Sequence, residues 1–168
     1  ASTVALRRLA ATLEPIIGVS VRPVSLLHST AVPASELDGR PAELLEPALD
    51  AYFSAQPDGT AVALPLFFGP SAALTDYLPG RLLALKARHP ESRVKLGREM
   101  VDIAQPEDVR IASALGDAVR GVMQARGLKR PAVLLVDHGS PQPGVTAVRE
   151  FIGTQLRHLL GDAVAAVG

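Results

Sequence analysis

Two uninterrupted apolar runs constrain this chain more than any other feature. Residues 60–68 (TAVALPLFF) lie between Gly59 and Gly69, and residues 132–136 (AVLLV) run directly into Asp137. Such runs are what strands covered on both faces look like. Around them fall stretches with helical periodicity. Residues 2–17 put Leu6, Leu9, Leu13, Ile16 and Ile17 on one face, and Gly18 supplies a stop. Residues 42–56 read as a second helix, with Pro47 marking a kink, and residues 74–88 as a third that starts properly only after Pro79. Residues 106–126 read as a fourth, with Pro106 in the first turn, Glu107 and Asp108 at the positive end and Gly127 closing it. Residues 144–160 form the last helix. Weaker strand signals occupy 19–27, where Pro23 indicates an edge or a bulge, 92–97 and 163–167. Strands alternating with helices predict an α/β fold, a three-layer parallel sheet flanked by helices.

Composition narrows the function. With 17 Lys+Arg, 17 Asp+Glu and 4% aromatic residues, the chain lacks the basic stripe and stacking rings of a nucleic-acid binder. A hydrophobic content of 48% over 168 residues supplies a buried core for one domain, or for one domain and part of another. The absence of cysteine excludes disulfides, thiolate zinc, iron–sulfur ligation and a Cys nucleophile, and fits a cytoplasmic protein. No apolar run approaches the ~20 residues of a membrane span. The start of the chain is amphipathic rather than signal-like, and without an initiator Met it reads as trimmed or as missing its beginning.

The two ends of the chain resemble each other. Ala5–Leu9 lines up with Ala147–Phe151, and Leu13, Ile16, Ile17 and Gly18 line up with Leu156, Leu159, Leu160 and Gly161 after a one-residue slip. A duplication implies a first unit over 1–128 that lacks its first strand, and the start of a second over 129–168. Either that strand has been lost at the N-terminus, or residues 132–136 supply it, in cis or by strand exchange with a partner chain. A strand edge left open predicts a homodimer.

In open parallel sheets ligands bind beyond the carboxyl ends of the strands. Those positions hold His28, Ser29 and Thr30 after 19–27, then Gly69, Pro70 and Ser71 after 60–68, then Asp137, His138, Gly139 and Ser140 after 132–136. Asp102 and Asp76 are placed near the same rim. A neutral His138 there can bind a borderline metal or accept a proton near neutral pH, or simply hydrogen-bond its turn. His28 has the same placement. His89 reads as a solvated cation at a helix end and His158 as a surface residue. No phosphate-binding glycine motif and no G-x-S-x-G elbow is present. Arg22, Arg40, Arg81, Arg98, Lys129 and Arg130 are scattered and read as solvated, with one or two able to meet an anionic ligand. Phe67 and Phe68 read as core.

LLVDHGSPQPG (134–144) resembles the opening strand and His-Gly-Ser turn of the sirohydrochlorin chelatase (CbiX-type, class II chelatase) family. ALPLFFGPSAALTDYLP (63–79) resembles that family's third strand and following loop, and HPESRVKLG (89–97) with the helix after it is similar to its next segment. The resemblance implies ATP-independent insertion of Co²⁺, or of Ni²⁺ or Fe²⁺, into a tetrapyrrole, with no nucleotide. It makes His138 a metal ligand or the base at the macrocycle. Ser140, Gly69 and Ser71 then border the substrate. Active members place a second histidine in a Gly-x-His pattern where this chain has Gly69-Pro70-Ser71, and His28 on the same rim is the candidate replacement ligand. A second reading is a degenerate unit that binds tetrapyrrole, metal or a partner subunit without catalysis. A third is an unrelated α/β protein holding a small anion at a helix N-terminus.

Overall fold

The computed structural model describes residues 2–27, 31–137 and 142–168. The chain is 54% helical with two short parallel sheets, which agrees with a mixed α/β class. It divides into two units, one of residues 1–63 and 72–95 and one of residues 64–71 and 96–168.

The first unit begins with α1 (Ser2–Ile17). Glu14 accepts the Gly18 N–H on its carbonyl at 2.9 Å and the Val21 N–H on Oε1 at 3.0 Å, which closes the helix around Gly18 at φ +70°. Arg7 reaches from α1 to the carbonyls of Leu37, Arg40 and Pro41 at 2.7–3.0 Å and ties down the loop that buries Leu37. Residues 19–27 make one parallel bridge, Ser25 to Leu44, instead of a strand. Pro23 within that run has no N–H to donate to a longer ladder.

Helix α2 (Leu45–Ala55) starts three residues later than the periodicity predicts. Pro47 therefore falls in the first turn, where a missing N–H costs nothing, and the expected kink does not arise. A π-helical turn over Ala73–Tyr77 leads into α3 (Leu78–Arg88), with Pro79 in its first turn. Leu49, Phe53 and Leu85 form the core between α2, α3 and the pair β1 (Thr60–Ala63) and β2 (Arg93–Leu96), with Ala61 and Val94 packed against it. Phe53 is fully buried, and burial of a phenylalanine contributes about 2–3 kcal/mol.

Ion pairs fasten α2 to α3. Glu46 pairs with Arg81 and Arg88, and Asp50 with Arg88 at 3.1 Å. Partial burial raises the Glu46 carboxyl, but the two guanidiniums outweigh it and hold the group below its ordinary value. His89 is not the solvated cation expected. Its side chain is 14% exposed, its Nε2 lies 3.0 Å from Asp50 Oδ1, and its ring packs 5.9 Å from that of Phe53. The helix stops at Arg88, and the His89 N–H still reaches the Leu85 carbonyl, which keeps the imidazole against α2. The hydrogen bond from His89, and then that from Arg88, holds the Asp50 carboxyl below its usual range.

The second unit is built on α4 (Arg110–Arg126), β3 (Ala132–Val133), α5 (Pro143–Leu160) and β4 (Ala166–Val167). β3 and β4 pair in parallel, Ala132 with Ala166 and Val133 with Val167. The ladder extends through Ala165 N–H to the Pro131 carbonyl at 2.8 Å and Leu135 N–H to the Gly168 carbonyl at 2.7 Å. α5 is thus the crossover of a strand–helix–strand unit. Among the described residues the partner of β3 is β4, within the second unit. Val148, Ile152, Leu156 and Leu160 are the buried stripe of α5, and Val133, Leu135, Leu115 and Val119 pack on its lower half. Ala112 and Gly116 are buried on α4, and Leu156 lies close beside the missing side chain of Gly116. Gly127, left-handed at φ +61°, closes α4 as expected.

The two apolar runs are not covered on both faces. Leu134 and Val136 are 77% and 79% exposed, Val62 and Leu64 are also exposed, and Phe68 is 54% exposed rather than core. Exposed and half-buried residues alternate along both runs. A sheet packed by helices on one side gives that period, and composition alone does not reveal it.

α4 starts four residues later than predicted. Residues 106–109 precede it, and Asp108 caps it by accepting the Arg110 N–H at 3.3 Å and Nε at 2.8 Å. The Arg110 side chain, then its backbone N–H, lowers the Asp108 carboxyl from 3.8 to about 2. A depressed carboxyl contributes stability that is complete above its unfolded value and is lost as pH falls through its folded value. A carboxyl-carbon NMR titration is therefore expected to place the Asp108 midpoint near about 2, and an Arg110→Ala variant to return it toward the ordinary value. An unshifted midpoint in the parent chain would contradict the cap.

Candidate functional site

The second unit contains an open cleft of about 410 Å³, lined by Pro70, Arg98, Glu99, Val101, Asp102, Ile103, Gly144 and Val148. Three segments build it. Residues 67–70 end the first apolar run, residues 98–103 follow β2, and Gly144 and Val148 lie on the first turns of α5. The Met100 N–H donates to the Phe67 carbonyl at 2.8 Å and the Val101 N–H to the Phe68 carbonyl at 3.1 Å, so the first two segments run together. Asp102 folds its own loop by accepting the Ala104 N–H at 3.0 Å and the Gln105 amide at 2.9 Å.

The 69–70 turn and α5 meet through two glycines. A Cβ on Gly69 would stand 2.7 Å from Val148 Cγ2, and a Cβ on Gly144 would stand 2.7 Å from Pro70 Cγ. Neither neighbour is the free end of a flexible side chain: one is a β-branched methyl and the other a ring. These glycines are needed for close approach. Gly69, expected beside the substrate, has this packing role among the described contacts, and Ser71, two residues on, is half-buried.

Asp137 pairs with Arg149 at 3.1 Å and so anchors the end of the 132–136 run to the second turn of α5. His138 and Ser140 lie outside the described residues, as does His28. Asp102 is at the cleft, while Asp76 belongs to the turn before α3 in the other unit. His158 is exposed, as read, with Nδ1 2.8 Å from the Thr154 carbonyl. Among the described residues no group of three or more His, Asp or Glu side chains comes together.

Sequence reasoning named Arg98 only among six scattered cations, one or two of them able to meet an anionic ligand, and passed over Glu99, Val101 and Ile103. The signal was available, because these residues follow β2 as Gly69–Ser71 follow the first apolar run, and the strand-end rule applies to both. Gly144 was legible only as the start of a helix. Its reason for being glycine is a neighbour more than seventy positions away. Gly144→Ala is expected to cost about 1–3 kcal/mol, the usual penalty for overpacking, read as a lower urea midpoint with unchanged helical circular dichroism. A midpoint equal to that of the parent would contradict the close approach.

No helix among the described residues is long and apolar enough to cross a membrane. The site thus consists of an open, mixed-charge cleft against the first turns of α5, where Gly69 and Gly144 allow close approach; no protein-family model, curated protein or solved structure matches the chain.

Proposed function

We propose that this chain is a sirohydrochlorin chelatase-like protein that inserts a divalent metal, Co²⁺ before Ni²⁺ or Fe²⁺, into a tetrapyrrole without a nucleotide. The observation that carries this reading is convergence at the cleft. Pro70 comes from the 63–79 segment, Gly144 from the 134–144 segment, and Arg98 follows the 89–97 segment. Two of the stretches that resemble the family, far apart in sequence, border one open cleft, and the third leads directly into the loop that lines it.

Metal insertion releases two pyrrole protons as the metal enters, so the macrocycle loses the charge that the cation brings. A histidine is suited to take those protons near neutral pH. In this reading His138 is the base or a loose metal ligand, His28 the second ligand, and Ser140, Gly69 and Ser71 border the ring. The metal is a substrate and must be able to leave. The same reading carries the finer architecture, a three-layer sheet with helices over its bare apolar faces, as well as a homodimer in the cytoplasm.

The test is anaerobic mixing with sirohydrochlorin and Co²⁺, followed by absorbance against a no-protein control. The expected result is acceleration that falls about a hundredfold or more in His138→Ala, the scale of a lost acid–base group, and weaker Co²⁺ binding in His28→Ala. Equal rates with and without protein would overturn the enzyme. Ser71 favours one second reading, since a hydroxyl is a poor ligand for these ions. A unit that binds the tetrapyrrole without turnover would show a spectral shift on binding but no acceleration.

A further inference from the structure

We propose that Arg98 is the residue that recognises the acidic periphery of the ligand in this cleft, a role that rests on the tetrapyrrole reading above. Of the six cations singled out in the sequence as able to meet an anion, Arg22 is held by Glu43 at 2.6 Å and Arg81 by Glu46. Among the described residues lining the cleft, Arg98 is the single cation. Its side chain is 82% exposed, and its Nη1 lies 3.7 Å from Asp102 Oδ2, at the outer limit of an ion pair. The Asp102 carboxylate is meanwhile engaged by the Ala104 N–H and the Gln105 amide. The guanidinium is therefore loosely held and can turn toward an incoming carboxylate, which it is shaped to grip with two parallel N–H donors.

Size points the same way. A cleft of about 410 Å³ is near the lower end of the ~300–1,000 Å³ range of small-molecule sites. A macrocycle with its ring of acidic arms exceeds it. One edge enters while the rest stays in solvent, so recognition falls on the arms that reach the protein. Glu99 and Asp102 on the same rim repel a polyanion, and Arg98 is the single group of the described lining that offsets them.

The experiment uses the full chain and two probes. One is a polycarboxylate porphyrin, and the other is a porphyrin of the same ring carrying uncharged polyether arms. The chain has no Trp, so binding is read from the anisotropy of the porphyrin's own emission. Arg98→Gln is expected to weaken the polycarboxylate about fivefold, the scale of one solvent-exposed charge pair. Arg98→Glu is expected to weaken it further, and Arg98→Lys to restore part of the affinity. The uncharged porphyrin should bind all four proteins equally, which separates charge recognition from misfolding. Added salt should reduce the parent's affinity more steeply than that of Arg98→Gln. Equal polycarboxylate affinity in the parent, Arg98→Gln and Arg98→Glu would overturn the role of Arg98 while leaving the tetrapyrrole reading in place. Failure of the parent to bind either porphyrin would overturn that reading, and the role of Arg98 with it.

Discussion

The candidate site depends on how closely the backbone of the 69–70 turn can approach the first turns of α5. Two missing side chains permit it, Gly69 against Val148 and Gly144 against Pro70. The approach has value only if α5 itself is immobile. That is secured by its buried stripe, Val148, Ile152, Leu156 and Leu160, each contributing about 1.5–3 kcal/mol by burial. Arg157 adds a bond to the Val167 carbonyl at 2.7 Å, and Gln155 bonds the carbonyls of Pro106 and Asp108 before α4. Dispersion and burial place the helix, and the polar contacts set its register against β4 and the approach to α4. The cleft follows as the space left between the turn, the helix and the 98–103 loop.

The first unit is fastened differently. Its apolar core is small, centred on Leu49, Phe53 and Leu85, and the α2–α3 seam is closed by a chain of charges from Arg81 through Glu46 and Arg88 to Asp50, which also meets the His89 imidazole. Exposed pairs of this kind contribute little singly and more as a network. His89 joins the two kinds of interaction, since its ring packs on Phe53 and its nitrogen meets Asp50. This part of the chain carries charge along a helix seam, whereas the second unit exposes charge on a cleft.

Helix content was legible because the stripes on residues 2–17, 106–126 and 144–160 repeat at the helical period over many turns. Boundaries were less so: α4 begins only after the Asp108 cap, and Pro47 moved from a kink to a first turn once α2 began at Leu45. Strands were harder still. Residues 61–68 and 132–136 are apolar at every position, so their composition does not distinguish a covered face from a bare one. Val62, Leu64, Leu134 and Val136 lie on the bare side. The site was half legible. The strand-end rule pointed to Gly69–Ser71, yet the loop after β2 and the glycine contact at Gly144 needed the tertiary structure, because the pairs that build them are distant in sequence. His138, His28 and Ser140, on which the resemblance bears most, fall outside the described residues.

The most direct measurement is an amide chemical-shift map of the full chain titrated with a polycarboxylate porphyrin. If the cleft is the binding site, the largest changes will fall together on Gly69, Arg98, Val101, Gly144 and Val148, and the Tyr77 and Arg81 amides of the first unit will stay still. Changes centred on Tyr77 and Arg81, or no saturable changes anywhere, would contradict the account.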